Sequence, residues 1–396
     1  MTEGADYPAS APPMLVFSLV WLSMVAALTS NVQPVFLGVL AETFHLNGSQ
    51  LGLLGGAELG GSCLASLTAA YWFPKAPLRK VALLAISMGF LGNMLTHMAA
   101  DYTQLVLIRF LTGLLGSGIL YALTLGLVGQ LANPDRVIGI AIFVQVISLA
   151  AGLTAIPVLM QHWQLQGVTL MLALLFASGI LLFYRLPKRI GPDARGLPAD
   201  KPLSAVHSHW FLPAGLLLSL IVFSIGLGSV WAFLERLASG NGFDMLQVGS
   251  ALAVAGLIGG CGALVAAILG SRFGRLMPVA IGIVLEIVAC LILATRTDWY
   301  SFLLAVAMFN FCWNLTLPFL IAAIAEADTA GRFLVLIPAA QTGGYALGPT
   351  LVGLIMVGEH YATGAWISSV MFAICLVLAV TLLTKTRRSV AVLGPA

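Results

Sequence analysis

The sequence predicts an all-α membrane protein with twelve transmembrane helices in two six-helix bundles. Three observations lead there. The first is composition: the 396 residues are 60% hydrophobic and only 8% charged, with a mean hydropathy of +1.02, whereas a soluble domain carries about 25% charged residues. The second is a series of twelve apolar runs, each long enough to cross a bilayer, which takes roughly 20 helical residues. The third is a single long polar interruption, residues 187–208, rich in Pro, Gly and charge, that leaves six runs on either side. The chain therefore reads as bundle 1–186, cytoplasmic linker 187–208 and bundle 209–396.

In chain order, uninterrupted hydrophobicity marks spans at 13–40, 48–73, 77–98, 102–131, 136–160 and 166–186 in the first half. The second half repeats the pattern at 209–236, 245–271, 275–295, 299–325, 332–357 and 362–384. An even number of spans puts both termini on one side, and the basic residues say which. Fifteen of the eighteen Lys and Arg residues fall on the face of the 187–208 loop. Only Arg236 and Arg296 lie opposite, and Arg109 sits inside a span. The positive-inside rule then places the termini and the linker in the cytoplasm of a cell inner or plasma membrane. The first twelve residues carry Glu3 and Asp6 but no Lys or Arg, which does not read as a cleavable signal.

The five cysteines all fall in apolar runs with no metal-ligand spacing, so packing is their expected role, and neither a metal site nor a disulfide framework is expected. No Gly-x-x-x-x-Gly-Lys-Ser/Thr loop is present to cradle phosphates, and Gly116-Ser-Gly118 lacks the strand and third glycine of a dinucleotide site. No cofactor, nucleic acid or ATP is therefore expected as a partner. No paired His/Asp or Ser/His groups on facing spans suggest an enzyme.

The most informative stretch is Arg109-Phe-Leu-Thr-Gly113-Leu-Leu-Gly116-Ser-Gly118 in the fourth span. A guanidinium at that depth costs about 2.5–3.5 kcal/mol on the insertion scale, so something inside the protein must hold its charge. The glycines after it let a neighbouring helix approach closely. A second motif, Ser271-Arg272-Phe273-Gly274-Arg275, follows the eighth span, and Asp328-Thr-Ala-Gly331-Arg332 follows the tenth. Gly60-Gly61-Ser62-Cys63 in the second span aligns with Gly259-Gly260-Cys261-Gly262 in the eighth, a faint internal repeat. Together with the span count, the Arg109 glycine ladder and the loops resemble the major facilitator superfamily, with Ser271 where that family's loop has an acid. The matching loop after the second span keeps Lys75, Arg79 and Lys80 but neither acid nor glycine.

That resemblance implies a secondary transporter whose halves rock about a central cavity. It gives Arg272, Arg275, Asp328 and Arg332 a gating role, with Asp328 a helix cap and a charge partner. It also sets helices two, five, eight and eleven at the seam, where Gly52/Gly56/Gly60, Gly256/Gly260 and Gly344/Gly348/Gly353 form stripes. From helices one, four and five it assigns Asn31, Gln33, Tyr121, Thr124 and Gln145 to the cavity. From seven, ten and eleven it adds Trp231, Asn310, Trp313, Asn314, Gln341 and Tyr345. Pro34 and Pro318 interrupt the helical ladder near these amides, and the mixture of rings and amides suits a small, partly apolar solute.

Two buried carboxylates remain. Glu58 lies roughly 15 Å deep and Arg109 roughly 10 Å deep from the same outer side, at 1.5 Å per residue. Helical phase turns Glu58 away from the Gly52/Gly56/Gly60 stripe and toward the fourth span, so a Glu58–Arg109 pair is expected, either as a proton-coupling group or as a static pair that neutralises Arg109. Glu286, in the ninth span, is a further candidate coupling group. The expected partners are a small-molecule solute, protons and the lipid bilayer, with the chain a monomer. Arg109 suits uptake of an organic anion, and an aromatic cavity suits efflux of an amphipathic compound. The alternative is a membrane sensor or scaffold that keeps the fold and moves nothing.

Overall fold

The computed structural model describes residues 12–131, 133–189, 210–270, 272–328 and 332–392. Over these residues it is helical, with no strand. The linker at 190–209, Ser271 and Gly331 lie outside them.

The first span is two helices, α1 (Pro13–Asn31) and α2 (Gln33–Phe44), interrupted at Val32. Pro34 stands in the first turn of α2, where its missing N–H leaves no bond unmade and its ring stops α1 from running on. The second and third spans are α3 (Gly48–Trp72) and α4 (Leu78–Thr96). The fourth is α5 (Tyr102–Leu111), a π-helical segment at Thr112–Gly118, and α6 (Ile119–Val128). Spans five and six form one hydrogen-bonded run, α7 (Pro134–Ser178), broken at Gln164, whose φ of 53° and ψ of −157° reverse the chain where a loop is expected at 161–165. The seventh span is α8 (Phe211–Trp231) followed by the short α9 (Leu234–Gly240). The remaining spans are α10 (Met245–Leu269), α11 (Leu276–Thr295), α12 (Trp299–Ala327), α13 (Ile337–Ile355) and α14 (Ala362–Val392).

Among the described residues, nine helical stretches are long and apolar enough to cross a membrane. One of them, Arg136–Arg185, is 50 residues long and holds two spans. The glycine-rich α3 and α13 fall outside that group because Gly and small polar residues dilute their hydropathy. With these included the architecture is that of twelve transmembrane helices.

Asp residues start three of the spans. Asp101 accepts from the Gln104 N–H (2.8 Å), Asp244 from Leu246 (2.9 Å) and Asp298 from Ser301 (3.0 Å). Each bond satisfies one of the helix's orphan N–H groups. The Ser301 side chain and N–H hold the Asp298 carboxyl below its ordinary range.

The described residues divide into two compact units, Met1–His45 with Ala57–Lys201, and Leu46–Gly56 with Pro202–Ala396. In the first, α1 and α4 pack on α7, and a core of Leu19, Leu22, Ile86, Leu120, Leu123 and Phe176 fills the space between. In the second, α8 packs on α13 and α14, and α12 on α10 and α11. Small residues set these distances, because lipid supplies no hydrophobic drive between helices. Gly344 and Gly348 lie against the α8 backbone, and Gly259 and Gly262 against α12. Gly52 and Gly56 lie against α13 within the second unit, while Gly60 has nothing within 4 Å. On α10 it is Gly259 and Gly262 that lie against a helix of their own unit.

The closest approach in the first unit is that of α3 to the π segment. A Cβ at Gly113 would overlap the Glu58 carbonyl, and one at Gly118 would press on Ser62 and Ala65. Ser62 Oγ donates to the Gly113 carbonyl at 3.2 Å. Replacing Gly113 with Ala should force α3 away and destabilise the purified protein by about 1–3 kcal/mol, the usual range for overpacking; thermal unfolding in detergent measures it.

Candidate functional site

Arg109 lies in the last turn of α5 and is 1% exposed, so its position is set by the protein and not by water. Its Nη2 donates to Glu58 Oε2 at 2.6 Å, a charge-assisted bond between α5 and α3. Its Nη1 donates to Asn93 Oδ1 and Thr96 Oγ1 on α4, both at 3.1 Å. The Phe36 ring of α2 completes the shell, 5.0 Å from the guanidinium carbon. Four spans thus meet on one side chain.

The acceptors are themselves fixed. Asn93 Nδ2 donates to the Gly89 carbonyl (2.8 Å) and the Thr96 hydroxyl to that of Gly92 (2.7 Å), which aims their free oxygens at Arg109. Glu58 is 9% exposed, and only one of its oxygens is engaged. Glu58 Oε1 and Arg109 Nε have no hydrogen-bond partner among the described residues. Chemically, this is a carboxylate that a cation holds by one oxygen, with the second oxygen unengaged among the described residues.

Sequence reasoning about depth and phase brought Glu58 and Arg109 together but not Asn93, Thr96 or Phe36. An Asn and a Thr one turn apart on one face of an apolar helix were the available signal.

The cavity candidates fall into two groups. In the first unit, Tyr121 on α6 and Gln145 on α7 are both half-buried. Thr124 spends its hydroxyl on the Tyr121 carbonyl (2.9 Å), so its role there is local. Asn31 is half-buried and Gln33 buried, flanking the Val32 interruption. In the second unit, Trp231 and Trp313 meet edge to face with centroids 5.8 Å apart, and Tyr345 lies 5.6 Å from Trp313. The Tyr345 hydroxyl has no hydrogen-bond partner among the described residues. Asn310 and Asn314 donate to the Val306 and Asn310 carbonyls of their own helix, both at 2.9 Å. Gln341 is half-buried on α13, one turn before Tyr345.

At the loop after α10, Arg275 pairs with Glu326 at the end of α12, Nη2 to Oε1 at 2.6 Å and Nε to the same oxygen at 2.9 Å. Glu326 was not singled out from sequence, because an acid near a span end resembles any solvated cap. Asp328 accepts the N–H groups of Phe333 (2.7 Å) and Leu334 (2.9 Å), capping the turn into α13. Arg272 and Arg332 are exposed, and no ion pair between Asp328 and Arg332 is present among the described residues. At the opposite ends, Glu235 is fully buried and bonded to the Ser239 hydroxyl at 2.5 Å, which removes it from the solvated caps. Glu286 is also fully buried, on α11.

The model of the Major Facilitator Superfamily matches residues 19–327 and 216–395. The chain belongs to that superfamily. Its members are membrane transporters, and the chain is accordingly a multi-pass transport protein. Solved structures share the fold. The xylose transporter XylE from E. coli, in a partially occluded inward-open conformation, superposes with a TM-score of 0.72 at 14% identity, covering 92% of this chain and 97% of that one. A bacterial homologue of the human lysosomal transporter Spinster, inward-facing and unoccupied, gives 0.70 at 14% identity, with 94% and 97% covered. The nucleoside transporter NupG gives 0.66 at 14% identity, with 93% and 98% covered. No curated protein sequence matches the chain.

Removing Glu58 alone strands the Arg109 charge, and breaking a buried pair from one side costs about 3–5 kcal/mol. Glu58→Leu is therefore expected to lower the unfolding midpoint strongly, while Glu58→Leu combined with Arg109→Leu recovers most of the loss. A double-mutant cycle in detergent reads both.

Proposed function

We propose that the chain is a proton-coupled secondary active transporter, moving a small, partly apolar organic solute by alternating access. It works as a monomer in the cell inner or plasma membrane, with both termini cytoplasmic, and it leaves its solute chemically unchanged. The observation that carries the coupling is Glu58, held to Arg109 by a single oxygen at 2.6 Å while the other is unengaged. Such a carboxylate has two stable settings. Paired, it is ionised and cancels the arginine; protonated, it leaves the guanidinium to Asn93 and Thr96, which already accept from its Nη1. A conformational change that separates α3 from α5 would then bind and release one proton per cycle.

Neutralisation of Arg109 also bears on the solute. With Glu58 opposite, Arg109 offers no net positive charge to attract an organic anion. The Trp231–Trp313–Tyr345 group, with Gln341 one turn before Tyr345, supports an amphipathic compound with an aromatic or heterocyclic part and a few hydrogen-bonding groups. At the cytoplasmic ends, the Arg275–Glu326 pair and the Asp328 cap are the proposed gate contacts, with Arg272 and Arg332 as exposed cations beside them.

A thermal-shift screen of the purified protein against metabolites and drugs selects the solute, since whatever binds only the folded state raises its midpoint. Proteoliposomes then read transport. Glu58→Gln is expected to abolish uphill, proton-driven movement of that solute while leaving solute exchange at equal pH largely intact. Undiminished uphill transport would remove Glu58 from coupling, and the absence of any solute flux in the unsubstituted protein would support the sensor or scaffold reading. Direction follows from cell accumulation with and without an uncoupler: import falls, whereas failed export raises retention.

A further inference from the structure

Outside the Glu58–Arg109 site, the second unit encloses a carboxyl group with no counter-charge. Glu286 on α11 is 0% exposed, and neither of its oxygens has a hydrogen-bond partner among the described residues. Helix α11 packs on α12 and α14. The titratable groups within electrostatic reach of Glu286 are Cys290 on its own helix, Cys312 on α12, Cys375 on α14 and Tyr345 on α13. None is a cation, and no Lys, Arg or His forms an ion pair with Glu286 among the described residues. Two further buried oxygens in the same region also have no partner. One is Thr316 Oγ1, which lies against Gly282 one turn before Glu286, and the other is the Tyr345 hydroxyl.

An ionised carboxylate in this setting has none of the bonds or charges that offset the loss of water, a cost far beyond what a fold of ordinary stability tolerates. A neutral acid removes the charge and supplies an O–H donor among oxygens that need one. If packing were the whole purpose, an apolar side chain of similar size would serve with no desolvation at all.

We propose that Glu286 is a proton-binding site of the second unit, taking up and releasing a proton inside the packing of α11, α12 and α14. Loading is a plain protonation. A carboxylate oxygen takes a proton from hydronium, which is left as water, and the charge at Glu286 goes from −1 to 0 with no electron changing hands. The site stands on the packing of the second unit alone, whereas its use in coupling rests on the transport reading given above.

Infrared spectroscopy of the full chain in phosphatidylethanolamine/phosphatidylglycerol vesicles tests the site without any solute. At neutral pH the spectrum should contain a protonated-carboxyl C=O band that is lost in Glu286→Gln and moved, not lost, in Glu286→Asp, which keeps the acid. In D2O the band should shift as the proton exchanges. Identical spectra for the unsubstituted protein and Glu286→Gln would overturn the proposal, because Glu286 would then be ionised. A band that stays unshifted in D2O would overturn it too, as a sealed structural acid. These bands are read independently of transport, so failure here leaves the solute assays to decide the transport reading.

Discussion

A positive charge inside an apolar bundle must be cancelled by the protein itself, and the first unit is arranged around that need. Arg109 draws a carboxylate from α3, an amide and a hydroxyl from α4, and an aromatic face from α2. Each of the polar groups would be a liability alone in hydrocarbon. Together they offset one another at all but Glu58 Oε1 and Arg109 Nε, and the mutual requirement fixes the rotation of four spans. The glycines follow from the same constraint, since Glu58 reaches Arg109 only if its backbone lies directly on Gly113.

The second unit solves a different problem. Its interior is aromatic, running from Phe223 through Phe372 and Phe309 to Trp313, Trp231 and Tyr345. Ring edges and faces supply the specificity there that ion pairs supply in the first unit. Polar side chains on α12 mostly turn back to their own helix, as Asn310 and Asn314 do. Glu286 and Tyr345 do not, which is why they stand apart.

Much of the architecture was legible in the sequence because bilayer thickness imposes a length on every span, and positive charge marks one side. Residue depth and helical phase were enough to set Glu58 toward Arg109. What the sequence concealed were breaks and partners. Val32 interrupts a helical run whose hydropathy continues unbroken, with only Pro34 as a visible warning. The reversal at Gln164 falls in the gap at 161–165 that the span pattern had already left, although no residue type there marks the exact position. Asn93, Thr96 and Glu326 were missed for a related reason. A lone polar residue on a membrane helix has several faces it could occupy, and spacing within one span does not say which neighbour waits opposite.

The π segment at Thr112–Gly118 deserves a last consideration. A wide turn accommodates, in effect, one residue more than the α pitch allows, so the two ends of the fourth span are out of phase with a regular helix. Relaxing it to α geometry would rotate one end against the other by roughly 100°, the angle of a single residue. Arg109 and Tyr121 lie on either side of that segment. Winding and unwinding it would let the polar cluster around Arg109 and the Tyr121 ring change their relative facing while the span stays in place, a torsional joint within a single helix.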